Sequence, residues 1–217
     1  MSLHGKAVIV VDVQSDFTDL HDGALAVPGT DQSYLDAVVA TTQWLYDRGC
    51  PVVCTQDYHP FDHVSFYTNH QGHKPFDKIR LGNIEQTLWP PHCVQGTLGA
   101  NILIPQALIT EVVQKGTDIR FDSYSGFRDD GGRETGLKAV LDHLGARDLI
   151  IYGLATDYCV RYTVLDALKR GYRVQLVSTL CGGVSAEGSE QAITEMSLGG
   201  VTIARSHSVD ALRKIIE

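Results

Sequence analysis

The sequence predicts an α/β protein, one domain in three layers, with helices on both faces of a mainly parallel six-stranded sheet. Three observations predict it. Short β-branched apolar runs lack the alternation of a half-exposed strand, so they read as strands buried on both faces. These runs alternate with segments of helical period, the pattern of right-handed βαβ units. A length of 217 residues suits a single core of that kind spanning residues 1–217.

The elements follow in order. Residues 6–12 form the first buried strand. Asp31 can cap a helix over roughly 32–48, where Leu35, Val38, Val39, Thr42, Leu45 and Tyr46 make one stripe and Gly49 ends it. Residues 51–55 read as the second strand and 110–114 as a third. Leu137, Val140, Leu141 and Leu144 sit at helical spacing before Gly145. Residues 149–153 form another buried strand, after which Thr156 can cap a helix running to Arg170 and stopped by Gly171. A strand at 174–178, a helix at 187–198, a strand at 201–204 and a helix at 209–216 complete the chain. Residues 57–100 break the rhythm. A stretch this long without a sustained period is a functional loop or a disordered one, and its aromatics, paired prolines and clustered histidines argue against disorder.

Composition narrows the partners. Eighteen Lys and Arg against 26 Asp and Glu give a net charge of -8. That balance disfavours nucleic acid and anionic membranes, which need a basic face. No apolar run approaches membrane-spanning length, and the N-terminus lacks a signal-peptide pattern. Five cysteines, an odd number without a Cys-x-x-Cys pair, point to a reducing cytoplasm. A small-molecule substrate is the partner left, with a homo-oligomer open.

Open α/β sheets bind ligands at the carboxyl ends of their strands. Asp12 follows the first predicted strand, Asp57 and His59 the second, Lys115 the third, and Cys159 the strand ending at Gly153. A carboxylate, a carboxylate–histidine pair, a lysine and a cysteine therefore land on one rim. Taken alone, a cysteine is more often a small buried hydrophobe, and Cys50, Cys54, Cys93 and Cys181 are assigned to that class. Cys159 differs because it falls in the first turn of a helix, where free N–H groups favour a thiolate and can hold an oxyanion. Asp12 could accept the thiol proton and Lys115 could stabilise the charges, although alone they read as a turn residue and a solvated lysine. Asp57 and His59, one residue apart, point the same way from an extended segment. Carboxylate oxygen with imidazole nitrogen suits zinc, iron or manganese. His63, His70, His73 and His92 are the candidates for further ligands.

Together these segments resemble a known family. Asp12-Val13-Gln14-Ser15-Asp16-Phe17 with Gly23-Ala24-Leu25-Ala26-Val27-Pro28-Gly29, then Asp57-Tyr58-His59-Pro60 and His63-Val64-Ser65-Phe66, are similar to the opening and metal loop of nicotinamidases/pyrazinamidases among the isochorismatase-like cysteine hydrolases. Trp89 to Thr97, Lys115-Gly116-Thr117, Phe121 to Phe127 and Gly153 to Val160 continue the match in family order, from about residue 7 to 204. The resemblance implies a metal-dependent amidase converting nicotinamide, and the related pyrazinamide, to the acid and ammonia in NAD salvage. It implies Asp12, Lys115 and Cys159 as the catalytic triad, and the amides of Ala155 and Cys159, after a cis Leu154–Ala155 peptide, as the oxyanion site. Phe17, Trp89 and Tyr124 are implied as walls around an aromatic amide, and Asp57, His59 and His92 as ligands of one divalent ion, zinc first. His63 is the nearest equivalent of the further histidine that some relatives recruit. The implied reaction passes through a thioester on Cys159, with Asp12 carrying the proton and the metal fixing the ring through its pyridine nitrogen. The competing readings are a metal-free amidase of ureido or carbamoyl substrates, a non-catalytic metal- or ligand-binding module and a redox-sensing thiol protein.

Overall fold

The computed structural model describes residues 5–216. Six strands form one sheet in the order β5-β2-β1-β6-β7-β8, every adjacent pair parallel. They are β1 Lys6–Val11, β2 Val52–Asp57, β5 Glu111–Lys115, β6 Asp148–Leu154, β7 Arg173–Gly182 and β8 Thr202–Ala204. The helices are α1 Gln32–Tyr46, α2 Leu137–His143, α3 Arg161–Lys169, α4 Ala186–Leu198 and α5 Val209–Ile216.

Period-2 geometry splits β1 between two cores. Ala7, Ile9 and Val11 face one layer, with Leu137 and Leu141 of α2, Val164 of α3 and Met196 of α4. Val8 and Val10 face the other, with Val38 and Leu45 of α1 and Leu212 of α5. The non-alternating apolar run predicted this two-sided burial. The chain steps outward from β1 to β2 and β5, then returns across β1 to β6, β7 and β8. The strand order thus reverses beside β1, and such a switch point opens a crevice at the carboxyl ends of the strands.

The predicted caps hold at α1, where the Asp31 side chain accepts the Tyr34 N–H at 3.0 Å. They do not hold at Thr156. Residues Thr156–Val160 form a π-helical turn with no side-chain cap, and regular α-helix begins only at Arg161. The Val160 N–H reaches back five residues to the Ala155 carbonyl at 3.1 Å. The unassigned long segment contains a hairpin, β3 Lys78–Leu81 with β4 Ile84–Thr87, paired antiparallel away from the main sheet. Strand β7 also runs longer than predicted, to Gly182, because the β6–β7 register shifts between Ile151 and Gly153 and pairing resumes with Gly153 opposite Cys181.

Gly153 lies opposite Val11 in the β1–β6 ladder, at φ 131°. A Cβ there would collide with the Val11 carbonyl oxygen. Gly153→Ala is therefore expected to lower stability by about 2–3 kcal/mol through overpacking, read as a reduced urea midpoint at unchanged m-value.

Candidate active site

The carboxyl ends of β1, β2, β5 and β6 bring four expected residues together. Asp12 leaves β1 in the left-handed region, at φ 47°, a conformation asparagine and aspartate tolerate better than most residues. Asp57 and Lys115 end β2 and β5 and lie opposite each other in the parallel register. Cys159 follows β6 in the π turn.

All four are buried, Asp12 and the Lys115 ammonium fully. The Lys115 Nζ donates to Asp57 Oδ1, to the Ser123 carbonyl at 2.8 Å and to Cys159 Sγ at 3.4 Å. An ammonium has three protons, and these three partners use them. Asp12 Oδ2 lies 2.9 Å from the same Nζ in an ion-pair contact but without hydrogen-bonding alignment. Its other oxygen accepts the Thr55 hydroxyl at 2.6 Å. A lone pair of Asp12 Oδ2 therefore remains free, and acceptor atoms of Asp12, Asp57 and Cys159 lie within 4.8 Å of one another.

Burial and charge oppose each other here. Burial alone would lower the Lys115 pKa, but Asp12 and Asp57 hold it well above the usual lysine value. Burial raises the Asp12 pKa, which Lys115 offsets in part and Asp57 pushes further up. Burial would raise Asp57 too, yet Lys115, His59 and His92 together keep it ionised far below the ordinary range. Burial drives the Cys159 thiol well upward, against the pull of Lys115. Burial thus works against the thiolate that the first-turn position favours. Burial likewise pushes Cys50, Cys54 and Cys181 up to about 12. All five cysteines are free.

Asp57, His59 and His92 lie beside this group, each able to offer an atom within 4.8 Å of the others. His59 Nδ1 pairs with the Gly116 carbonyl at 2.9 Å and His92 Nδ1 with the Pro90 carbonyl at 2.7 Å. Carbonyls only accept, so each ring carries a proton on Nδ1 and turns Nε2 inward. Those Nε2 atoms face Asp57 Oδ2 at 3.5 and 3.9 Å, and the buried His59 Nε2 has no hydrogen-bond partner. Burial and the neighbouring His59 bring the His92 pKa down to about 4, keeping its ring neutral at neutral pH. Three potential ligand atoms converge, a donor set that fits a divalent cation, and each ring is braced through its other nitrogen as metal-bound histidines are.

His63 is placed differently. Its Nδ1 lies 2.7 Å from Ser65 Oγ and its Nε2 3.1 Å from the Phe121 carbonyl. It groups with His59 and Asp122 rather than with Asp57 and His92. Both ring nitrogens are engaged, so binding an ion would require giving up one of these bonds. His70 and His73 lie apart, bonded to the Val64 carbonyl and to Asp77.

Phe17, Trp89 and Tyr124 line one cavity with Asp57, His92, Ala155 and Cys159. Trp89 Nε1 donates to the Tyr124 hydroxyl at 3.0 Å, locking two walls together, and Phe17 packs 5.3 Å from the His92 ring. The Leu154–Ala155 peptide is cis. Sequence reasoning missed Tyr158, Leu25, Val27 and Val184 as further wall residues, and Asp122 on the polar side. Tyr158 packs 4.9 Å from Trp89, and its only signal was its place next to Cys159. Gly116 sits against the site, where a Cβ would strike the His59 ring.

The parallel three-layer fold with a carboxylate–lysine–cysteine cluster at its carboxyl rim defines a class, the isochorismatase-like α/β hydrolases. The chain belongs to the isochorismatase family, whose domain matches residues 6–208. It is 42% identical over 203 residues to a nicotinamidase of Escherichia coli, covering 91% of this chain and 93% of that one. Among solved structures it is similar to a nicotinamidase/pyrazinamidase of Acinetobacter baumanii, with a TM-score of 0.81, 38% identity and coverage of 92% and 95% of the two chains. It is also similar to the pyrazinamidase of Pyrococcus horikoshii, solved in complex with zinc, with a TM-score of 0.76, 35% identity and coverage of 93% and 99%.

Proposed function

We propose that this protein is a nicotinamidase, an amidohydrolase that converts nicotinamide, and pyrazinamide, to the acid and ammonia, and so serves NAD salvage. The observation that carries the reading is the cavity in which the Cys159 thiol, 3.4 Å from the Lys115 ammonium, shares a wall with Asp57 and His92. Its relatives of that name span nearly the whole chain.

The roles follow from the chemistry of each group. Cys159 is the nucleophile. Its raised pKa means that the resting group is a neutral thiol, so attack on the carboxamide carbon is coupled to proton transfer from Sγ to the free lone pair of Asp12 Oδ2. The amides of Ala155 and Cys159 take the negative charge that develops on the carbonyl oxygen. Asp12 then passes the proton to the departing nitrogen, which leaves as ammonia, and a thioester remains on Cys159. Water gives a proton to Asp12 as its oxygen attacks the thioester carbon. The acid departs, and the proton returns to sulfur. Lys115 stays protonated throughout, bonded to Asp57 and the Ser123 carbonyl. Its charge steadies the sulfur as negative charge builds there. Phe17, Trp89 and Tyr124, with Tyr158, hold the ring flat over the thiol and exclude bulk water.

Asp57, His59 and His92 are the proposed ligands of a divalent ion, zinc first, with His63 in reserve. When bound, the ion supplies a Lewis-acidic anchor for a ring nitrogen and a more acidic water. The five free thiols support a reducing cytoplasm, and no helix among the described residues is long and apolar enough to cross a membrane.

Ammonia release from nicotinamide, measured with and without chelator, tests the reading. Chelation is expected to abolish release and added zinc to restore it. Chelator-resistant release from a ureido substrate with none from nicotinamide would favour the metal-free amidase instead. No release from either substrate would favour a binding module. Gly116→Ala should also weaken zinc retention, because the new methyl displaces His59. The readout is zinc content after dialysis.

A further inference from the structure

Two polar side chains just after Asp12 touch neither the cavity nor the proposed ion, yet each grips the backbone of a ligand segment. Gln14 is fully buried. Its Oε1 accepts the Asp57 N–H at 2.8 Å, and its Nε2 donates to the Asp57 carbonyl at 2.9 Å and the Ala100 carbonyl at 2.9 Å. Strand β1 ends at Val11, so the β2 backbone has lost its ladder partner by Asp57. A carboxamide carries the same donor and acceptor as a peptide unit. Gln14 therefore replaces the missing strand with a side-chain rung, pinning the residue that also holds Lys115.

Asp16 does the equivalent on the other side. Its Oδ2 accepts the Cys93 N–H at 2.7 Å, one residue after His92. Cys93 sits at φ 47°, a strained setting for a cysteine. Its carbonyl in turn accepts the His59 N–H at 3.0 Å. One residue, Cys93, bonded through both its N–H and its carbonyl, thereby links His59 and His92. The space around Asp16 is closed, since a Cβ on Gly99 would fall on its carboxylate and one on Gly23 on its carbonyl.

We infer that Gln14 and Asp16 are positioning residues for the ion, setting its affinity through the Asp57 and His92–Cys93 backbones. The segment that supplies the proposed base thus also holds the proposed ligands in register with it. This rests on the metal reading above. Outer partners of metal ligands typically set affinity by about 10–100-fold.

The test is zinc affinity of the full-length protein by competition with a chromophoric chelator. Gln14→Glu keeps the acceptor but sets an oxygen against two carbonyls, and Asp16→Ala removes the Cys93 partner. Each is expected to weaken zinc binding by about tenfold or more. Asp16→Asn, which keeps an acceptor for Cys93, is expected to recover most of that loss. Thr30→Val is the control, because the buried Thr30 hydroxyl bonds the Val27 carbonyl at 2.6 Å, the Phe17 carbonyl at 3.4 Å and the Asp19 N–H at 3.2 Å, and neither ligand segment. It should lower the melting temperature and leave zinc affinity unchanged. Wild-type affinity in both Gln14→Glu and Asp16→Ala would overturn the inference while leaving the metal site standing. A wild-type protein that binds no zinc would overturn the metal reading itself. Asp16 is only half-buried, so Asp16→Ala decides the matter should Gln14→Glu not fold.

Discussion

The Cys159→Ala protein is expected to release ammonia from nicotinamide at least about 10⁴-fold more slowly than wild type, because no other group can form the acyl intermediate. It is expected to retain the proposed ion, since Sγ is not among the three atoms that converge from Asp57, His59 and His92. Folding is little affected. The methyl group fills part of the sulfur's space, and Lys115 keeps its bonds to Asp57 and the Ser123 carbonyl. A second measurement separates this site from thiolate–imidazolium enzymes. Burial pushes the Cys159 thiol well upward, so alkylation by iodoacetamide at pH 7, without substrate, should be no faster than that of an ordinary thiol. Rapid alkylation at that pH would mean a resting thiolate and would overturn the coupled proton transfer. Unchanged turnover in Cys159→Ala would remove the nucleophile altogether.

What could be read in the sequence follows from which forces leave a local signature. Residues 6–12 and 149–153 announced strands buried on both faces because two-sided burial removes alternation. The rim rule then gathered Asp12, Asp57, Lys115 and Cys159 from four segments without any contact information. That holds because a parallel sheet aligns all its carboxyl ends. The π turn at Thr156–Val160 stayed hidden, since pairing five residues back leaves no side-chain pattern and Thr156 looks like an ordinary cap. The hairpin was better signposted than the reading allowed. Ile79 and Leu81 alternate up to Gly82-Asn83, a two-residue turn of the hairpin kind.

The supporting residues around the site were illegible for a different reason. Gln14, Thr55 and Asp16 act through hydrogen bonds to residues tens of positions away, as with the 43-residue separation between Gln14 and Asp57. No periodicity encodes such a pairing. His63 shows the converse case. It sits in the histidine cluster and near His59, but Ser65 Oγ and the Phe121 carbonyl occupy its ring. Composition can gather histidines in one segment, whereas only geometry shows whether a ring nitrogen is already engaged.

The second large effect is expected at Asp12. Asp12→Asn keeps the shape of the side chain and removes the proton acceptor, so turnover should fall by about 10³-fold, within the range for loss of a general base. Stability should move the other way or not at all. The folded-state pKa of Asp12 is raised above its unfolded value, so the fold disfavours the ionised carboxylate. This destabilises the protein at any pH above the raised pKa, and the penalty disappears as pH falls below the ordinary carboxylate range. A neutral amide at position 12 never incurs it. The opposing term is the loss of one anion beside Lys115, and an ammonium left unpaired in the interior would cost about 3–5 kcal/mol. Lys115 is not left unpaired, because Asp57 remains ionised and bonded to it. The two terms nearly cancel, and a thermal melt at pH 7 should show an equal or higher midpoint. The same linkage sets the acid limb of kcat/KM in the wild type. Activity needs ionised Asp12, so it falls as pH drops through a pKa above the ordinary aspartate value, and that limb should vanish from the residual activity of the variant. A melting midpoint well below wild type would show that Asp12 is chiefly the counter-ion of Lys115. Near-normal turnover would assign the proton transfer to another group.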